Sequence, residues 1–274
     1  MTRDIIRHPG PPADQPWIMA QGTGRSLQIT LPKGKILMEA VAEAMDAAGA
    51  DSGAMVLDGL VMGPYRFVGP GPSNDGIHAA WYSAPRGGAR ATITHGTAMV
   101  GRRDGAWWLH CHAAWEGKQP LAGHLLPDEV TLAEDATVTL HAINGAKFDV
   151  SMNAETQFAI FHPTGGQPGN AVIAKLNPHK DAVTAIREIS AKAGFAKAHV
   201  YGVGSLVGAC FAEGGDMASP ISEVFVLPGA TTGNTTNLPL HCVDPDDAQF
   251  NGTLLPDGGP VCVTFELLLM DAKT

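Results

Sequence analysis

Trp108-Leu109-His110-Cys111-His112-Ala113-Ala114-Trp115, followed after a short break by Leu121-Ala122-Gly123-His124-Leu125, is the stretch whose reading decides the fold. Side chains two apart on a strand share a face, so His110 and His112 should stand side by side. The break Glu116-Gly117-Lys118-Gln119-Pro120 reads as a hairpin loop. If Trp115 faces Leu121 across that loop, His124 falls opposite His112 and three imidazoles converge. A slip of one residue would send His124 to the other face. Three neutral imidazoles are the ligand set of an open zinc-type site with a position left for water or substrate. The alternative is a hairpin with polar histidines on its solvent side.

The rest of the chain bounds what such a site can serve. Its 274 residues suffice for one large or two small domains, and 45 % apolar with 16 % charged residues excludes a disordered chain. Acidic residues outnumber basic ones 27 to 18, for a net charge of −9, and the longest basic run is Arg102-Arg103. That is the wrong electrostatic footprint for a nucleic-acid binder, which must neutralise phosphates. Cys111, Cys210, Cys242 and Cys262 lie scattered in apolar stretches, which suits reduced thiols. No apolar run approaches a membrane span and the N-terminus shows no export signal, so a soluble, cytoplasmic protein is expected.

Residues 1–26, rich in Pro and Gly, read as an extended arm whose Trp17-Ile18-Met19 docks in part. Leu27–Leu31 alternates like a strand, and Gly34 to Ala48 carries the apolar stripe of a helix stopped by Gly49. The Gly- and Pro-rich segment 63–88, with His78, Trp81 and Tyr82, is a long loop placed to act as a lid. Short strands follow to Ile143, and then the pattern restarts. Leu31-Pro32-Lys33-Gly34 through Gly49 matches Leu176-Asn177-Pro178-His179 through Gly194, the second helix expected to take Asn177 as N-cap and to bury Val183, Ile186 and Ile189. Leu109-His110-Cys111 matches Leu240-His241-Cys242, and Gly123-His124-Leu125-Leu126-Pro127 matches Gly252-Thr253-Leu254-Leu255-Pro256. A tandem duplication follows. In the second copy His112 becomes Val243 and His124 becomes Thr253, leaving one histidine of three, too few to hold a metal.

Laid out this way, the chain resembles the PPC domain, the plant and prokaryote conserved domain also called DUF296. The resemblance rests on strand, helix ending in Gly, His110-Cys111-His112, then Ala122-Gly123-His124-Leu125, with Cys and Ala as departures from the bacterial His-Leu-His and Gly-Gly-His-Leu pattern. It covers 27–165 well and 170–271 more weakly. It implies an α/β fold of the α+β type, two tandem domains each with a mostly antiparallel or mixed sheet packed by helices. It implies 27–165 as a first domain with the histidine cluster and 170–271 as a second with a degenerate site. Trimeric assembly is implied as well. The DNA-binding label carried by the family is not transferred, because no Arg-Gly-Arg-Pro core exists and the charge opposes it.

Two functional readings remain. In one, His110, His112 and His124 hold a divalent metal, zinc first although imidazole also suits Ni, Fe and Cu, which activates water or polarises a small oxygen-rich substrate. In the other the metal is structural and pins a trimeric binding or regulatory protein; a DNA-associated regulator is the disfavoured third. Glu116, Asp128 and Glu129 are the nearby carboxylates available as a general base, with solvated loop acids as the plainer explanation. His95 and His141 read as hydrogen-bonded strand histidines, Trp107, Trp108 and Trp115 as anchors, and Cys111 as a small apolar group facing away from the site. No nucleotide fingerprint is present. The sequence names neither substrate nor reaction.

Overall fold

Residues 5–117 and 121–273 are described by the computed structural model. The first four residues of the expected arm, and 118–120 of the expected hairpin loop, lie outside the described residues.

In chain order the first half contains β1 (Trp17–Leu31), α1 (Leu37–Ala48), β2 (Ser52–Val56), β3 (Tyr65–Val68), β4 (Ala91–Arg103) and β5 (Ala106–Glu116), then β6 (Leu121–Leu125), β7 (Ala136–Asn144), β8 (Ala146–Met152) and β9 (Ala159–Gly165). The second contains β10 (Ala171–Leu176), α2 (Ala182–Ala193), β11 (Lys197–Leu206), β12 (Glu223–Val226), β13 (Pro239–Val243), β14 (Gln249–Thr253) and β15 (Val261–Asp271). Strands of two or three residues punctuate the loops.

The pairing runs β1–β7–β2–β4–β5–β6–β3, antiparallel throughout. A second run is β1–β10–β15–β11–β12–β13–β14, again antiparallel. β1 serves both: its residues 23–31 pair with β7 and its residues 17–22 with β10. The end of the expected arm is therefore strand, because Trp17 to Gly22 finds an open edge on β10. The α/β class expected from the sequence needs correction. The described residues hold two α-helices against a sheet-dominated, mostly antiparallel framework. Its one parallel contact among these strands joins β8 to β4 at Asp149 and Arg102.

Three apolar layers separate the elements. α1 packs Leu37, Val41 and Met45 against one face of the first sheet. α2 packs Val183, Ile186 and Ile189 against one face of the second. Each of these aliphatic side chains contributes roughly 1.5–3 kcal/mol on burial. Between the sheets lies a third layer, Ala54, Met99 and Ala114 meeting Ile173, Val203, Phe225 and Leu268. Strand alternation divides β5 between two of these layers. Leu109, Cys111, Ala113 and Trp115 join the core under α1, whereas Ala114 and its face-mates point toward the other sheet.

The helix ends show where local chemistry wins. Gly49 caps α1 in the left-handed conformation (φ 58°), as does Gly194 for α2 (φ 80°). α1 begins later than its stripe predicts, because Ile36 is held extended in a bridge to Thr131. The N-cap of α2 is Asp181, whose side chain accepts from Thr184 N at 2.8 Å, and not Asn177. Asn177 instead donates to Gln15 O at 2.8 Å, which ties down the N-terminal segment.

Candidate metal centre

The hairpin register is the one inferred from the sequence: Trp115 faces Leu121 and His112 faces His124. The three imidazoles consequently share one face. Their ligand atoms lie within 4.8 Å of one another. His112 Nε2 is 3.0 Å from His110 Nε2 and 3.2 Å from His124 Nδ1. Nitrogens bound about 2.0–2.1 Å from a tetrahedral zinc stand roughly 3.3 Å apart, so these two spacings suit one ion.

The second sheet supplies what holds the imidazoles. His110 Nδ1 donates to Glu266 Oε2 at 2.6 Å, and His112 Nδ1 donates to the Val224 carbonyl at 2.8 Å. A carboxylate and a carbonyl can only accept, so both Nδ1 atoms carry protons, and in the neutral rings both Nε2 lone pairs turn toward each other. Glu223 Oε2 adds a third acceptor 2.9 Å from His112 Nε2. A cation at this convergence, a metal ion or a proton, satisfies all of them; with neither, lone pair would meet lone pair in a buried place, His112 being 1 % exposed. The donor set therefore fits a metal ion.

The electrostatics differ between the rings. Burial, then the adjacent His112 and His110, holds His124 well below the ordinary imidazole pKa. Burial would lower His110 as well, but the charge and hydrogen bond of Glu266, with Glu223 behind, outweigh it and raise its pKa. Glu266 is 1 % exposed and also accepts from Phe161 N at 3.2 Å. Its cross-strand partner Lys175 is fully buried, its Nζ without a hydrogen-bond partner among the described residues. Burial pushes that amine down to about 8 against the pull of Glu266 and Glu155.

The long loop reaches the centre. Trp81-Tyr82 pairs with Pro70-Gly71, and the Tyr82 ring lies 5.2 Å from that of His124. Burial, then Glu223 and Glu266, raises the pKa of the Tyr82 phenol. His78 fixes the loop, its Nδ1 2.5 Å from Asp75 Oδ2 and its ring 4.8 Å from Phe158. A cavity of ≈ 350 Å³ lies on one side, with His110, His124, Tyr82 and Glu266 in its wall. A smaller one of ≈ 50 Å³ on the other side is lined by His110, Glu223 and Thr264.

Other expected residues stand elsewhere. Glu116 and Asp128 are exposed, and Glu129 pairs with Arg66 at 3.0 Å, so these three carboxylates make no contact with the imidazoles. His95 bonds Asp58 at 3.0 Å; His141 bonds Ser26 Oγ at 2.8 Å and stacks on Tyr201. Cys111 is buried in the core under α1, on the face away from the histidines. The carboxylates that matter, Glu223 and Glu266, were missed. Glu266 had a signal: a lone charge inside Phe265-Glu266-Leu267-Leu268-Leu269 needs a buried partner. Glu223 had none. In the second half, Val243 faces Gln249, and His241 Nε2 is 3.0 Å from Gln249 Oε1. Thr253 faces Pro239, so it is not the positional counterpart of His124 across the strand pair.

No family model matches the sequence, and no curated protein matches it either. Several solved structures are similar in fold. A metal-containing protein from Archaeoglobus fulgidus is 14 % identical with a TM-score of 0.42, over 53 % of this chain and 98 % of that one. A plant- and prokaryote-conserved (PPC) protein from Pyrococcus horikoshii is 15 % identical with a TM-score of 0.39, over 53 % of this chain and 94 % of that one. A candidate DNA-binding protein from Ralstonia eutropha is 14 % identical with a TM-score of 0.37, over 49 % and 89 %. No helix among the described residues is long and apolar enough to cross a membrane.

Proposed function

We propose that His110, His112 and His124 hold one divalent metal ion, zinc by ligand type, in a centre whose imidazoles are oriented from the second half of the chain. The observation carrying this reading is the pair of Nδ1 protons pinned by Glu266 and the Val224 carbonyl, which turns both Nε2 lone pairs inward. A bound ion would supply Lewis acidity toward an oxygen of water or of a small oxygen-rich substrate. The chain's own part is to orient the imidazoles, to hold His124 in its neutral form, to wall the site with Tyr82 and to place the Glu223 carboxylate beside it. Two tandem PPC-like domains, 27–165 and 170–271, underlie this arrangement, the second retaining the packing without a metal set of its own. Trimeric assembly in the cytoplasm belongs to the same reading.

One observation favours a second reading. Glu223 Oε2 lies 2.9 Å from His112 Nε2, and a small rotation would bring it into the fourth position, closing the site as a structural one. DNA binding, the role named for two of the similar structures, is opposed by the net charge of −9. Elemental analysis of the purified full chain against His112→Ala tests the metal: about one ion per chain is expected in the first and almost none in the second. Equal metal in both overturns the reading. X-ray absorption at the metal edge then distinguishes three nitrogens plus water from three nitrogens plus a carboxylate.

A further inference from the structure

The cavity of ≈ 350 Å³ beside the histidines is large enough for a small aromatic molecule and is unevenly furnished. Trp81, Tyr82, Trp108 and Phe158 supply flat ring surface. Trp81 and Tyr82 are 43 % and 37 % exposed, so they offer faces that a ligand can cover. Among the described residues, Arg103 is the only cationic side chain in the lining apart from the imidazoles. Its guanidinium lies 4.8 Å from the Trp108 ring centroid and makes no hydrogen bond or ion pair among the described residues. Asp104 and Asp128 line an adjoining depression with Arg103 and form no ion pair with it. Glu266, the one carboxylate in the cavity wall among the described residues, is already engaged by His110 and Phe161 N.

These groups select a ligand by chemistry. Four aromatic rings favour a flat apolar body, since ring stacking and area burial are the main gains they offer. A free guanidinium on an aromatic face recognises a carboxylate in bidentate fashion. A sugar would need a dense set of hydrogen-bonding side chains, which this wall lacks. We propose that the cavity binds an aromatic carboxylate, its acid group on Arg103 and its ring between Trp108 and the Trp81-Tyr82-Phe158 wall, with its far edge reaching His110 and His124. The inference rests on the metal-centre reading in one respect only, that this cavity is the one serving the centre.

The probe is 2-naphthoate, titrated calorimetrically into the full chain as purified, with 2-naphthamide as the neutral ring of the same shape. Saturable 1:1 binding of the acid is expected, weaker by about tenfold or more for the amide and for Arg103→Gln, as loss of a charge-assisted pair implies. Arg66→Gln, an exposed arginine away from the cavity, should leave affinity unchanged. No binding of the acid to metal-bearing protein overturns the proposal and leaves the metal reading standing. Equal affinity for acid and amide, or an Arg103→Gln variant as tight as wild type, also overturns it. Arg103-dependent binding by protein that carries no metal upholds the pocket and removes the metal reading instead.

Discussion

His110 and Glu266 lie 156 residues apart in sequence and 2.6 Å apart in space, imidazole Nδ1 to carboxylate oxygen. The contact crosses from the first sheet to the second, so the histidine cluster is built by one half of the chain and oriented by the other. Second-layer carboxylates of this kind set the tautomer and basicity of a ligating histidine. Glu266→Gln keeps the volume and an acceptor but removes the charge. It should lower metal affinity by roughly 10–100-fold, measured by competition with a chelator. Unchanged affinity would remove Glu266 from the centre.

The register of the second half dictates how to build a second site. Because Val243 faces Gln249 and His241 bonds Gln249, the pair to change is Val243→His with Gln249→His. That double variant should bind one more metal per chain by elemental analysis. Its affinity should be roughly 10–100-fold below the first site: opposite His112 stands Thr97, so the first sheet has no carboxylate to reach across to the new histidines as Glu223, opposite Val243, reaches across to His112. Val243→His with Thr253→His should add none, since Thr253 faces Pro239. A gain in the second variant and none in the first would show the register to be wrong.

Asp181→Ala removes the side-chain cap of α2 and should cost about 1 kcal/mol, read from urea denaturation. Asn177→Ala leaves the helix cap intact and loses only the tie to Gln15. Greater sensitivity of protease cleavage in the N-terminal segment is the expected effect there. If Asn177→Ala destabilised α2 as much as Asp181→Ala, the cap assignment would fail.

Acid should weaken the fold through two histidines outside the metal centre. Burial above all, with His199 adding to it, pushes His141 down to about 4, and burial does the same to His241, with nearby His95 adding. An unfolded imidazole titrates near about 6.5, so between these values the unfolded chain binds more protons. The stabilisation is complete above about 6.5 and is lost as pH falls toward 4, by roughly 3 kcal/mol for each histidine. Denaturation midpoints across that window should fall in wild type and fall less in His141→Gln. A flat profile would contradict the burial of both rings.

What the sequence by itself determined is the part governed by short-range geometry. Period-two alternation placed His110 and His112 on one face. Given a register with Trp115 facing Leu121, the same alternation put His124 opposite His112, while Gly49 and Gly194 ended both helices. Each depends on contacts among residues near in the chain, whose cost of closure is small and whose signals are local. The tertiary structure decided the rest. It turned the histidine face inward onto a second sheet, brought Glu266 and Glu223 to it, and stood Tyr82 over His124. It also made Asp181 the cap and opposed Thr253 to Pro239, where matched letters in Gly-x-Leu-Leu-Pro had pointed elsewhere. A strand's composition records which residues share a face but not which surface covers that face. That choice is made by how two apolar sheet faces pack together, an energy spread over many side chains and carried by none of them alone.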